Sequence, residues 1–151
     1  AGLGADWAIT KVFEANGLPV EKSGGYEALF GMLAAGRFDY FSRGVTEIMP
    51  EYQGRRAAMP ELAIEQTQLI YAPLPIYFFV TKGQQSLAAR LHTGLEGMVE
   101  DGSLDRMVRQ HFAEAIGTLK LSQRNVVRID NPHLPPGVPL ARKELWFDPT
   151  R

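Results

Sequence analysis

Apolar positions along the first third of the chain alternate between helical spacing and short extended runs. Ile9, Val12, Phe13 and Asn16 follow Asp6 at helical spacing, which predicts a helix capped by Asp6 and stopped by Gly17 in a left-handed turn. Leu18 to Lys22 predicts a short strand with Pro19 at its edge, and Ser23-Gly24-Gly25 predicts a turn. Tyr26, Leu29, Phe30 and Leu33 form the stripe of a second helix, which Gly36 ends as Gly17 ends the first. Arg37 to Phe41, rich in aromatics, predicts a buried strand. Helix, strand, helix, strand is the rhythm of a parallel α/β layer.

Ser42-Arg43-Gly44 is the loop after that strand, and Val45, Ile48, Met49 and Tyr52 fit a third helix that Pro50 kinks or bounds. Gly54 to Pro60 reads as a solvated connection. Leu62 to Tyr71 and Ile76 to Lys82 predict two strands parted by the stiff linker Ala72-Pro73-Leu74-Pro75. Leu87, Ala88, Leu91, Leu95, Met98 and Val99 share one face of a long helix that Asp101-Gly102 ends. Ser103 is read as the cap of the next helix, with Leu104, Met107, Val108 and Phe112 on its stripe. Val126 to Ile129 predicts a last strand. From Asn131 onward prolines predict an extended tail, anchored by Trp146 and Phe147.

The length of 151 residues, 45% hydrophobic and 22% charged, suits one ordinary domain, or one and a part, and excludes a disordered chain. The net charge of −1 provides no basic field to draw the protein to nucleic acid or anionic lipid. The longest apolar stretch, Leu74 to Val80, is broken by Pro75 and too short for a bilayer, so no membrane insertion is expected. With no cysteine there is no disulfide framework, thiolate zinc site or cysteine nucleophile. The segment Ala1 to Asp6 has neither the basic start nor the apolar run of a signal peptide, which leaves a cytosolic protein or a processed or trimmed chain.

Candidate chemistry is sparse. His92, His111 and His133 are scattered without ligands at metal spacing, and no nucleophile elbow, phosphate loop or His-Glu-x-x-His occurs. No catalytic residue, metal or cofactor is therefore assigned, and the chain is read as non-enzymatic. Gly2-x-Gly4 before a helix has two glycines of a dinucleotide turn, but Trp7 fills the place of the third. Ligands in α/β layers gather at helix starts and beyond strand ends, which singles out two segments. In Gly4-Ala5-Asp6-Trp7, Asp6 is either a cap or a contact, and Trp7 stacks on a ligand or packs on the core. In Ser42-Arg43-Gly44, the Arg43 fork suits a carboxylate or phosphate, with an ion pair to Glu47 as the alternative. Glu47 and Glu51, one helical turn apart, read as a solvated face, and Tyr77 and Phe78 as core packing.

Taken in order, Gly2-x-Gly4-Ala5-Asp6-Trp7, the helix end Asn16-Gly17-Leu18-x-Val20, and the run Tyr26 to Tyr40 with Leu33-x-x-Gly36-Arg37-x-Asp39 resemble the second lobe of a type 2 periplasmic solute-binding protein. The relatives are the family 3 group, associated with amino-acid uptake by ABC transporters. Tyr77-Phe78-Phe79-Val80-x-Lys82-Gly83 and Leu95-x-x-Met98-x-x-Asp101-Gly102-Ser103-Leu104-x-x-Met107 are similar to that family's return strand and C-terminal helix pair.

The resemblance covers about residues 1–112. It implies an α/β fold with a mixed, mostly parallel sheet flanked by helices. Residues 1–73 would form the second, ligand-binding lobe. Residues 74–112 would form the return crossing and C-terminal helices packed on a first lobe, and 113–151 an extended C-terminal segment. The chain would then be the C-terminal part of a longer periplasmic protein, working with an ABC permease. Its apolar helix stripes would be covered by the second lobe or by another copy, as a homodimer. Carried over by position, Gly4, Ala5, Asp6 and Trp7 match the helix-start loop that receives a ligand carboxylate, where amino-acid binders favour threonine. Ser42 and Arg43 stand near the place of the family's acidic residue for the ligand amine. That inverts the charge of the site and points to a polar or anionic solute outside the standard amino acids. Two rivals remain: a periplasmic sensory domain and an enzyme derived from the binding fold.

Overall fold

In the structure, a computed structural model that describes residues 1–150, three stretches of chain meet side by side at the N-terminus. β1 (Gly2–Gly4) pairs in parallel with β2 (Glu21–Ser23), in the register Gly2 to Glu21 and Gly4 to Ser23. On its other edge β1 meets the chain at Phe41 through a parallel bridge, with the Gly2 N–H donating to the Tyr40 carbonyl at 2.8 Å. α1 (Ala8–Ala15) and α2 (Tyr26–Ala34) make the intervening connections. Leu3, Phe13 and Leu29 are fully buried between these layers and Val12, Phe30 and Phe38 nearly so. Full burial of each such side chain stabilises by roughly 1.5–3 kcal/mol relative to exposure.

The Gly-x-Gly of β1 serves this packing. A Cβ on Gly2 would lie 2.1 Å from the Phe38 ring, and one on Gly4 2.4 Å from the Trp7 ring. Both glycines thus let an aromatic side chain lie flat on the strand backbone, a role unrelated to a dinucleotide turn. Gly17 and Gly36 have φ of 70° and 66°, the left-handed stops that the sequence leads one to expect.

The remaining elements are α3 (Ile48–Arg55), β3 (Gln68–Tyr71), α4 (Gln85–Glu100), α5 (Ser103–His111), α6 (Ala113–Leu119) and β4 (Asn125–Arg128). β3 and β4 form a second parallel pair, Gln68 opposite Asn125 and Tyr71 opposite Arg128. Its ends join the first unit: Ile70 and Ile129 pack against the cluster of Ala1, Leu3 and Phe13. There the Asn16 amide donates to the Asp130 carbonyl at 2.7 Å and accepts from the Asp130 N–H at 3.1 Å. The chain is thus mixed α/β, its strands in two short parallel pairs where one sheet is expected.

Several expectations are corrected. The strand expected at 18–22 begins only at Glu21, because Pro19 has no N–H to give a ladder. Arg37 to Phe41 supplies only the bridge at Phe41, since Phe38 turns inward over Gly2. Of 62–71 only Gln68–Tyr71 is strand: Glu65 ties the preceding turn by accepting from the Thr67 hydroxyl and from the N–H groups of Thr67 and Gln68. Ile76 to Lys82 forms no strand; Ile76 and Phe79 are 96% and 91% exposed, with no sheet edge beside them. Pro50 falls in the first turn of α3, where its missing N–H costs nothing.

Asp6 does not cap α1. Trp7 is the N-cap, without a side-chain cap bond, and the Thr10 hydroxyl donates instead to the Gly4 carbonyl at 2.7 Å. Ser103 opens α5 behind a left-handed Gly102, and Asp101 accepts its N–H at 2.8 Å. The segment 113–151, expected to be extended, holds α6 and β4, because β4 is the strand that completes β3.

The proline-rich end does run back over the helices. Arg142 forks onto both oxygens of Glu96 at 2.9 and 2.8 Å, and the Arg109 guanidinium lies 5.0 Å from the Phe147 ring. The Trp146 indole donates to the Pro139 carbonyl at 3.2 Å. No helix among the described residues is long and apolar enough to cross a membrane.

Candidate functional site

The bridge from Gly2 to Phe41 fixes where the chain leaves the first sheet, and so where Ser42 and Arg43 emerge. The Arg43 guanidinium lies 4.9 Å from the Trp7 ring and 5.3 Å from the rings of Tyr26 and Phe41. Trp7 is stacked on Phe41, with centroids 6.1 Å apart and 17° between planes. The flat, weakly hydrated guanidinium suits such an aromatic cage better than an ammonium would.

The donors of Arg43 face α3. Nε and Nη2 give the two oxygens of Glu51 bonds of 2.7 and 2.6 Å, and Nη2 lies 3.0 Å from Glu47. The Arg43 and Glu51 side chains are 13% and 17% exposed, so this pair is largely withdrawn from water. Burial pushes the Glu51 carboxyl up, but hydrogen bonds from Arg43 and Tyr26, with the charges of Arg43 and Arg55, outweigh it and hold the carboxyl below its ordinary value. Arg55 completes the cluster, 4.0 Å from the Phe30 ring and 2.7 Å from Glu27. The alternative of an ion pair between Arg43 and Glu47 is therefore present. The reading of Glu47 and Glu51 as a solvated face is corrected, because α3 turns Glu51 inward onto Arg43.

A cavity of about 1070 Å³ adjoins the cluster, running between the segment 39–72 and the chain that leads into β4. Ser42, Arg43 and Gly44 line one part of it; Leu119, Leu121 and Arg124 line another. Of the first candidate segment, Gly4 is buried in β1, Ala5 and Asp6 are exposed, and Trp7 is half-buried under Arg43; none of the four lines the cavity. The structure thus brings Trp7 to Arg43 and leaves Asp6 apart. Tyr77 and Phe78, expected in the core, are 50% and 71% exposed.

Glu51, Tyr26, Arg55 and Arg124 enter the site without having been singled out as ligand contacts. Arg43 and Glu51 are separated by a loop and the start of α3, so no helical spacing links them. Arg124 follows a short turn and shows no motif.

A scan against protein-family models and searches of curated proteins and of solved structures found no match to this chain.

Proposed function

We propose that this chain is a non-enzymatic solute-binding lobe of the type 2 periplasmic kind, the C-terminal part of a two-lobed protein that captures a polar or anionic solute for ABC-type uptake. One observation carries the reading. Trp7 and Arg43, drawn from the two segments that resemble the family's ligand contacts, meet at 4.9 Å beside a cavity large enough for a small molecule. Glu51 then stands where the anionic group of a solute would sit, and a carboxylate or phosphate replaces it on the Arg43 fork. α3 suits such an exchange, since it buries no residue and is tied by the pairs Arg43–Glu51 and Arg55–Glu27. The exposed Ile76 to Val80 run and the apolar positions of α4 are surfaces for the other lobe to cover.

Titration calorimetry of the chain with succinate, citrate and inorganic phosphate tests this reading. At least one of these should bind, and Arg43→Ala should weaken it tenfold or more, as for a lost charged hydrogen bond. Unchanged affinity in Arg43→Ala would remove Arg43 from the site.

A further inference from the structure

The cavity holds a second guanidinium, at the part of its wall away from the aromatic cage. The Arg124 side chain is 7% exposed and lines the cavity. Its Nε donates to the Leu119 carbonyl at 2.7 Å, and Nη1 donates to the carbonyls of Glu65 and Gln68 at 2.6 and 3.1 Å. Nη2 donates to no atom of the described residues. No side-chain nitrogen or oxygen among them is sealed from solvent without a hydrogen bond, so Nη2 has an opening, and the space that Arg124 lines is this cavity. The nearest carboxylate is Glu65, 3.8 Å from Nη1, and its oxygens already accept from Thr67 and Gln68. Asp39 and Glu61 also line the cavity but are exposed, where water and salt screen them. Around Arg124 the wall is apolar, with Leu119 and Leu121 buried and Leu69 and Val127 beside them on the paired strands.

A guanidinium held by three carbonyls, with one nitrogen turned to an apolar space, recognises an oxygen anion on an apolar body. We infer that this cavity takes an amphipathic monocarboxylate, its carboxylate on Nη2 of Arg124 and its apolar part among Leu69, Leu119, Leu121 and Val127. The inference deepens the proposed solute-binding role by naming the class of solute. It needs the cavity to bind a small molecule, but it does not need Arg43 to hold it. Arg43 is already satisfied by Glu51, which makes Arg124 the readier donor.

The test compares 4-phenylbutanoate with 4-phenylbutanamide, which share one body and differ in charge, by titration calorimetry on the wild-type chain. The carboxylate should bind at least tenfold more tightly than the amide. Arg124→Gln should abolish that preference and Arg43→Gln should keep it. Equal affinities, binding of neither compound, or a preference that survives Arg124→Gln would overturn the assignment. A preference lost only in Arg43→Gln would place the anion on the aromatic cage, leaving the Arg43 reading standing while this one falls. Should Arg124→Gln fail to fold, Val127→Trp decides in its place. Val127 is 41% exposed on β4, so a larger side chain there fills cavity space without entering the buried core. It should weaken 4-phenylbutanoate tenfold with the circular dichroism spectrum unchanged, and unchanged affinity would overturn the proposal.

Discussion

Arg43 and Glu51 face each other through two parallel hydrogen bonds of 2.7 and 2.6 Å, with both side chains largely withdrawn from water. The arrangement closes a ligand-like fork with a carboxylate of the protein itself. It also makes a polar pair, and no buried apolar contact, the main attachment of α3. Glu51→Gln leaves the size unchanged but removes the charge from one side of the fork. A partly buried, charge-assisted pair broken in this way costs about 1–3 kcal/mol. Urea unfolding of the two proteins would measure it, and a difference below about 0.5 kcal/mol would show that the pair only decorates the surface.

The same carboxyl sets a pH dependence. Its pKa in the folded protein lies below the ordinary value of about 4.5, so the unfolded chain binds the proton more readily than the folded one. The stability that Glu51 contributes is therefore fully present above the unfolded value and is lost as pH falls through the lower, folded one. Thermal unfolding followed from pH 6 to pH 3 should show a falling midpoint. In Glu51→Gln the fall should be shallower, because one of the proton-binding groups is gone.

Two glycines separate space from flexibility. In Gly2→Ala the new Cβ meets the Phe38 ring at 2.1 Å, so strand or ring must move, and a loss of about 1–3 kcal/mol is expected. Gly31→Ala, inside α2 with nothing within 4 Å, should instead gain about 0.5–1 kcal/mol through helix propensity. Paired denaturant curves check both signs.

These cases show which parts of the molecule the sequence makes legible. The stops at Gly17 and Gly36 and the helices α1, α2, α4 and α5 follow from local chemistry, a left-handed residue after an apolar stripe. Arg43 was legible as a forked donor after a strand. Glu51 as its partner was not, because the pair forms across a loop whose path the bridge at Phe41 decides. Trp7 and Gly4 had their true relationship hidden by a familiar glycine spacing. The strand expected at Ile76 to Lys82 fails for a different reason: its apolar run fits a sheet interior, and this chain offers it no neighbouring strand.

Asn16 illustrates a contact that only the tertiary structure gives. Its amide exchanges two hydrogen bonds with the backbone of Asp130 and so ties the end of α1 to the chain after β4. Asn16→Ala should cost about 1–2 kcal/mol. Hydrogen exchange should show where the loss lies: faster exchange at Asn125 to Ile129, with Leu3 and Phe13 little changed, would mean that the second strand pair loosens from the first unit. Uniform acceleration would instead mean that the two pairs unfold as one body.

The exposed run from Ile76 to Val80 yields the last prediction. Ile76, Phe78 and Phe79 are 96%, 71% and 91% exposed in consecutive extended chain, an apolar surface unusual for a monomer and open at the backbone to pairing with another strand. The chain alone should therefore self-associate as its concentration rises, and native mass spectrometry and sedimentation should both report it. Replacing Ile76 and Phe79 together by lysine removes the apolar faces and adds like charges. Because neither side chain packs on the core, the variant should keep the unfolding midpoint of the parent while remaining monomeric at concentrations where the parent associates. Association that persists in the double variant would move the interface to the apolar positions of α4, of which Leu87 is 41% exposed. A parent that stays monomeric would mean that the run folds back on its own chain, and the proposal of a second lobe covering it would lose its support.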